Sequence, residues 1–131
     1  MRFGASTFIW VSPFSNGTLD LIDKVARMGF DLIEICVEDP GTIETGRIGE
    51  RLDRAGIKAT VCGAFGPERD LSADDPGIRA NALGYLERCV TIAAELGAES
   101  VVGPMYSAVG RTRLAEPEER RAQRDLAADG I

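Results

Sequence analysis

The sequence contains no histidine. That excludes Ser-His-Asp and Cys-His catalysis within this chain, and any metal site that needs imidazole. Cysteine is scarce, with only Cys36, Cys62 and Cys89. Three thiols cannot form a fully paired disulfide framework, and their wide spacing matches no zinc pattern. Reduced thiols in a cytoplasmic protein are expected. No apolar run approaches the roughly 18 residues of a membrane span. The opening residues, MRFGASTFIW, lack the apolar stretch and small-residue cleavage site of a secretory signal. No glycine loop of the P-loop or dinucleotide type is present. Basic residues are outnumbered 15 to 21, for a net charge of -6. That balance argues against a broad phosphate-binding surface for DNA or RNA.

What is present points to an α/β fold. The chain has 131 residues with 44% apolar content, enough for one domain with a real core. Three segments repeat one pattern: ARMGFDLIEICV, DRAGIKATVCG and AELGAESVVGP. Each has a helical tail, a glycine, and a short apolar run. The glycines are Gly29, Gly56 and Gly97. Glycine just past a helix takes the left-handed conformation without strain. The β-branched run after it suits a strand buried on both faces. Such alternation signals βαβ units and a parallel sheet.

The pattern predicts strand one over Arg2 to Phe8 and a helix from about Thr18, after a turn at Asn16-Gly17-Thr18. Strand two is expected from Asp31 to Val37, and a weak second helix from Ile43 to Ala55, with Gly46 and Gly49 inside it. Strand three follows from Lys58 to Gly63. Asp75 and Pro76 are the N-cap and first residue of helix three. Its buried stripe is expected to be Ile78, Ala82, Leu86, Cys89, Val90, Ala93 and Leu96. Strand four runs from Ser100 to Gly103. Glu116 to Glu119 open a fourth helix with acids at its positive end. That helix reaches Ala128, ahead of Asp129, Gly130 and Ile131.

The fold class expected is a partial (β/α)8 barrel of about four parallel units in order 1-2-3-4. A full barrel takes about 250 residues, so residues 1–131 read as its N-terminal half, ending in helix four. A fragment or one product of a split gene fits that length. Four barrel strands leave open edges, so a homo-oligomer, or pairing with a missing half-barrel, is expected. The competitor is a flavodoxin-like sheet, which orders its strands 2-1-3-4.

In either fold a ligand lies at the carboxyl ends of the strands. The loops there carry Trp10, Phe14, Phe65 and Tyr106, which suit the C–H faces of a polyol or simply cap the barrel end. Strand two alternates Leu32, Glu34 and Cys36 against Ile33, Ile35 and Val37. The aliphatic face should pack on helices, so Glu34 points into the barrel. It either holds a substrate, or is a structural carboxylate satisfied by Arg2, Lys58 or backbone. Glu38, Asp39 and Glu44 form an acidic cluster that fits either a hard cation or a solvated loop. Cys62 ends strand three near the pocket, and no neighbour in sequence lowers its pKa.

The chain resembles the N-terminal half of the ketose 3-epimerases, such as D-tagatose and D-psicose 3-epimerases, within the xylose isomerase-like barrel group. The resemblance is carried by Gly4 and Trp10, by GFDLIEI at 29–35, by DLSADDPGIRANALGYLERC at 70–89, and by LGAESVVGPMY at 96–106. It implies a small-molecule sugar substrate contacted by Ser6, Trp10, Phe14, Glu34, Cys62, Gly103 and Pro104, with Phe14 as an apolar lid. Ser6 and Val109 replace aromatic residues usual in the family, which reshapes the pocket. The resemblance implies a divalent metal (manganese, cobalt or magnesium) in the complete protein. Its ligands and the two acid/base carboxylates have no counterpart here, so this chain is expected to bind no metal and to hold no catalytic residue. The implied reaction is epimerisation through an enediolate. The alternative is a non-catalytic half-barrel that dimerises as a binding or assembly module. A DNA-repair endonuclease, the other branch of this fold group, conflicts with the acidic balance and the missing histidines.

Overall fold

The computed structural model describes residues 1–130; Ile131, placed by the sequence pattern just past helix four, lies outside them. Four parallel strands form one sheet in the order β1-β2-β3-β4: Gly4–Ser6, Leu32–Cys36, Lys58–Cys62 and Val101–Val102. The helices are α1 (Asp20–Arg27), α2 (Thr45–Ala55), α3 (Pro76–Glu95) and α4 (Pro117–Asp129). The sheet order is that of a barrel segment and rules out the flavodoxin order. No helix among the described residues is long and apolar enough to cross a membrane.

The described chain divides into two compact units. The first comprises Met1–Gly63 and Arg88–Val102 and holds the whole sheet. One face of the sheet is aliphatic: Ile33, Ile35 and Val61 have no exposed surface, and Ala5 and Ala59 are buried. The α1 helix packs on β2 and α2 on β3. Their apolar stripes, Leu21, Ile22 and Val25 on one and Ile48 and Leu52 on the other, are buried too. Each such side chain taken from water contributes roughly 1.5–3 kcal/mol. Arg51 of α2 donates from Nε to Asp23 of α1 at 2.8 Å, and this bond holds the Asp23 carboxyl below its usual range.

All three repeat glycines have positive φ, at 85° for Gly29, 70° for Gly56 and 63° for Gly97. Each turns the chain from a helix into the next strand, as the pattern predicts. Gly4 is required for a different reason. A Cβ there would sit 2.1 Å from Leu32 Cδ1 and 3.0 Å from the Leu32 carbonyl oxygen. The close approach lets β1 lie against β2.

The second unit comprises Ala64–Glu87 and, of the described residues, 103–130. Phe65 is buried edge-on to Tyr85, with ring centroids 6.1 Å apart. The Tyr85 hydroxyl accepts the Ala64 N–H at 3.0 Å, and the Arg69 guanidinium lies 4.0 Å above the Tyr85 ring. Asp70 is buried and accepts from Ser72 twice, from N–H at 2.8 Å and from Oγ at 2.6 Å. Arg111 completes the cluster, 2.8 Å from Ser72 Oγ and 3.3 Å from Asp70. Burial pushes the Asp70 carboxyl up, but the Ser72 hydroxyl, the Ala108 and Ser72 amides and Arg111 outweigh it and hold the group below its usual range.

Several expectations need correction, among them the starts of strand one, at Gly4 rather than Arg2, and of helix one, at Asp20 rather than Thr18. Strand one ends at Ser6, not Phe8, because Ser6 Oγ accepts the Phe8 N–H at 3.4 Å and caps a 3-10 turn over Thr7–Ile9. Helix two starts at Thr45, not Ile43, since Asp39 caps a separate turn at Pro40–Thr42. Strand four shrinks to Val101–Val102. Val90 is 57% exposed, whereas Tyr85 and Ile92 join Ala82, Cys89 and Ala93 among the buried residues of α3.

Candidate functional site

The site grows from the register of the first unit. Ser6, Glu34 and Thr60 lie side by side on β1, β2 and β3. Two residues on, Cys36 pairs with Cys62 and Cys62 with Val102. Side chains alternate along a strand, so both rows share the face opposite the buried Ile33 and Ile35. They sit at the carboxyl ends of the strands, where parallel folds bind ligands.

The groups in these rows touch. Ser6 Oγ lies 3.3 Å from Cys36 Sγ. The Cys36 N–H donates to the buried Thr7 Oγ1 at 3.1 Å, which anchors the first turn after β1 to the end of β2. The Glu34 carboxylate and the Cys36 and Cys62 thiols place their donor atoms within 4.8 Å of one another. Burial, then the Cys36 thiol and the Glu34 carboxylate, push the Cys62 thiol up to about 12. At neutral pH it is a protonated hydrogen-bonding group, not a nucleophile.

The positively charged partners open to Glu34 in the sequence reading are absent. Arg2 pairs with Glu99 at 2.8 Å, and none of the ion pairs among the described residues includes Glu34. Glu34 is half-buried and faces the thiols instead.

The remaining expected contacts have the following surroundings. Trp10 is half-buried under Lys24, whose Nζ is 4.6 Å from the ring centroid. Phe14, expected as a lid, has no exposed surface. Gly103 and Pro104 belong to the second unit, where the Pro104 carbonyl accepts the Phe65 N–H at 3.2 Å. The sequence reading gives Thr7 and Thr60 no role in the site, whereas strand alternation already places Cys36 beside Glu34 on one face of strand two. Thr60 could have been found by the same alternation in strand three, because it lies two residues before Cys62 and so shares its face.

A hard cation of the manganese or magnesium kind needs converging oxygen donors. The donors that converge among the described residues are one carboxylate and two thiols. The acids after β2 are occupied separately: Glu38 accepts from Ser12 at 2.7 Å, Asp39 from the Gly41 N–H at 2.9 Å, and Glu44 lies 3.9 Å from Arg47. These residues therefore do not fit such an ion.

The profile of the xylose isomerase-like TIM barrel matches residues 22–131. The chain belongs to that family. Within it, the chain is 29% identical over 110 residues to a ketose 3-epimerase of Arthrobacter globiformis, covering 83% of this chain and 38% of that one. It is 25% identical over 128 residues to an L-ribulose 3-epimerase of Mesorhizobium japonicum, covering 97% of this chain and 43% of the relative. The crystal structure of a D-allulose 3-epimerase from Methylomonas sp. superposes with a TM-score of 0.84 at 27% identity, over 99% of this chain and 49% of the other. The chain thus spans less than half the length of these relatives, and its four strands form part of a xylose isomerase-like barrel.

Proposed function

We propose that this chain is the substrate-wall half of a metal-dependent sugar epimerase or isomerase that acts on a ketose through an enediolate. The observation that carries the reading is the Ser6–Glu34–Cys36–Cys62 face at the carboxyl ends of the strands. Its similarity to ketose and L-ribulose 3-epimerases supplies the substrate class. Epimerisation removes the proton beside the carbonyl and returns one to the opposite face, and each transfer needs a carboxylate of its own. This chain's residues do neither. Ser6 and Glu34 hydrogen-bond sugar hydroxyls, Cys62 donates or accepts as a neutral thiol, and Trp10 borders the pocket. The chain alone is inactive.

Two measurements test this. Saturation-transfer NMR of the purified chain with ketopentoses and ketohexoses should show binding that Glu34→Gln weakens. No binding of any ketose would remove the substrate-wall reading. Incubation with the same sugars and manganese or cobalt should yield no epimer, and robust turnover would overturn the claim of inactivity. The second reading, a half-barrel that dimerises, is favoured by exposed Phe3, Ile9 and Val102 in the sheet unit. Sedimentation of the chain as a strict monomer would exclude it.

A further inference from the structure

We infer that Glu34, Cys36 and Cys62 form a binding site for one thiophilic divalent cation of the zinc class. This departs from the expectation that no residue of the chain holds a metal; it stands without the sugar reading but uses the same face, so a bound cation and a sugar compete for Glu34 and Cys62.

Three donors of the right chemistry converge. Thiolate sulfur suits zinc and disfavours the hard ions that the family implies. Zinc–sulfur bonds of about 2.3 Å in a tetrahedron put two sulfurs roughly 3.8 Å apart. The three donor atoms already lie within 4.8 Å of one another, so small rotamer changes close the site. The backbone supplies the preorganisation. Cys36 and Cys62 are directly paired across β2 and β3, and the Thr7 hydroxyl fixes the Cys36 amide. Ser6 Oγ, 3.3 Å from Cys36 Sγ, stands beside the fourth position, which it or a water can fill. Three protein ligands and one exchangeable position are the arrangement of an accessible rather than a closed zinc site.

Charge supports the same reading. The half-buried Glu34 carboxylate joins none of the ion pairs among the described residues. On binding, each thiol loses its proton to solvent and becomes a thiolate ligand. The carboxylate and two thiolates then carry three negative charges against the cation's two. The remaining cysteine, Cys89, is buried on α3 and lies outside the three-donor cluster.

The test uses the full chain, reduced with a phosphine and titrated with cobalt(II) alone, then with zinc. One equivalent of cobalt should produce a thiolate-to-cobalt charge-transfer band, and one equivalent of zinc should bleach it. Cys36→Ser and Cys62→Ser should each weaken zinc binding by more than the roughly 10–100-fold that loss of an outer partner costs. Glu34→Gln should weaken it less, and Cys89→Ala should leave it unchanged. Cobalt spectra of the unmodified chain without a charge-transfer band would overturn the proposal, whatever the folding of the variants. So would a band that survives Cys36→Ser but is lost with Cys89→Ala.

Discussion

In the sheet unit, position is set by burial: Ile33, Ile35 and Val61 are wholly enclosed and the strands follow from them. In the loop unit, much is set by hydrogen bonds. Asp70, Ser72 and Arg111 staple two loops together, and the Tyr85 hydroxyl holds the Ala64 amide. Burial is non-directional and insensitive to pH, whereas the staple needs one carboxylate ionised. The two regions should therefore fail under different insults.

The largest expected effect comes from the sheet. Ile35→Ala should cost about 2–5 kcal/mol, read as a lower urea midpoint. A loss under ~1 kcal/mol would mean that β2 is not the centre of the unit's core. Next comes the staple. Asp70→Asn should cost roughly 1–3 kcal/mol by removing the charged acceptor of Arg111 and Ser72. Its consequence should be local, with faster amide exchange around Ser72 and little change in β2. The wild-type carboxyl has its pKa lowered in the folded state, so its contribution is present above the unfolded aspartate pKa of about 3.9. It is lost as pH falls through the folded value. Acid titration of the Asp70→Asn variant should lack this component, and identical acid profiles would show that the staple carries no charge-dependent stability. Gly4→Ala comes third, at about 1–3 kcal/mol of overpacking against Leu32. The smallest effect is expected at Val90→Ser, within about 0.5 kcal/mol, because the side chain faces out.

The fold was largely legible because its signals are local. A glycine after a helix and an apolar run after the glycine are read within a dozen residues, and Gly29, Gly56 and Gly97 all proved left-handed. The orientation of Glu34 was legible from strand alternation alone. What escaped depends on distant partners. The contact of Cys36 with Cys62 needs the register of two strands, and the Asp70 staple needs Arg111, 41 positions away. Val90 was misplaced for a simpler reason. The buried residues of α3, Ala82, Tyr85, Cys89, Ile92 and Ala93, follow helical spacing, and Val90, about 100° around the helix from Cys89, falls off that stripe.

The sheet order has a kinetic consequence. Each strand pairs with the one before it in the chain, across 28 residues from Gly4 to Leu32, 26 from Leu32 to Lys58 and 40 from Val61 to Val101. Closure entropy grows only with the logarithm of loop length, so the longest of these closures costs roughly 0.4 kcal/mol more than the shortest. No strand has to wait for a segment beyond the next strand before it finds its neighbour. The sheet can assemble by successive addition, each new strand templated on the exposed edge of the last, and because every parallel pairing spans 26 to 40 residues each addition is a non-local and therefore slow step.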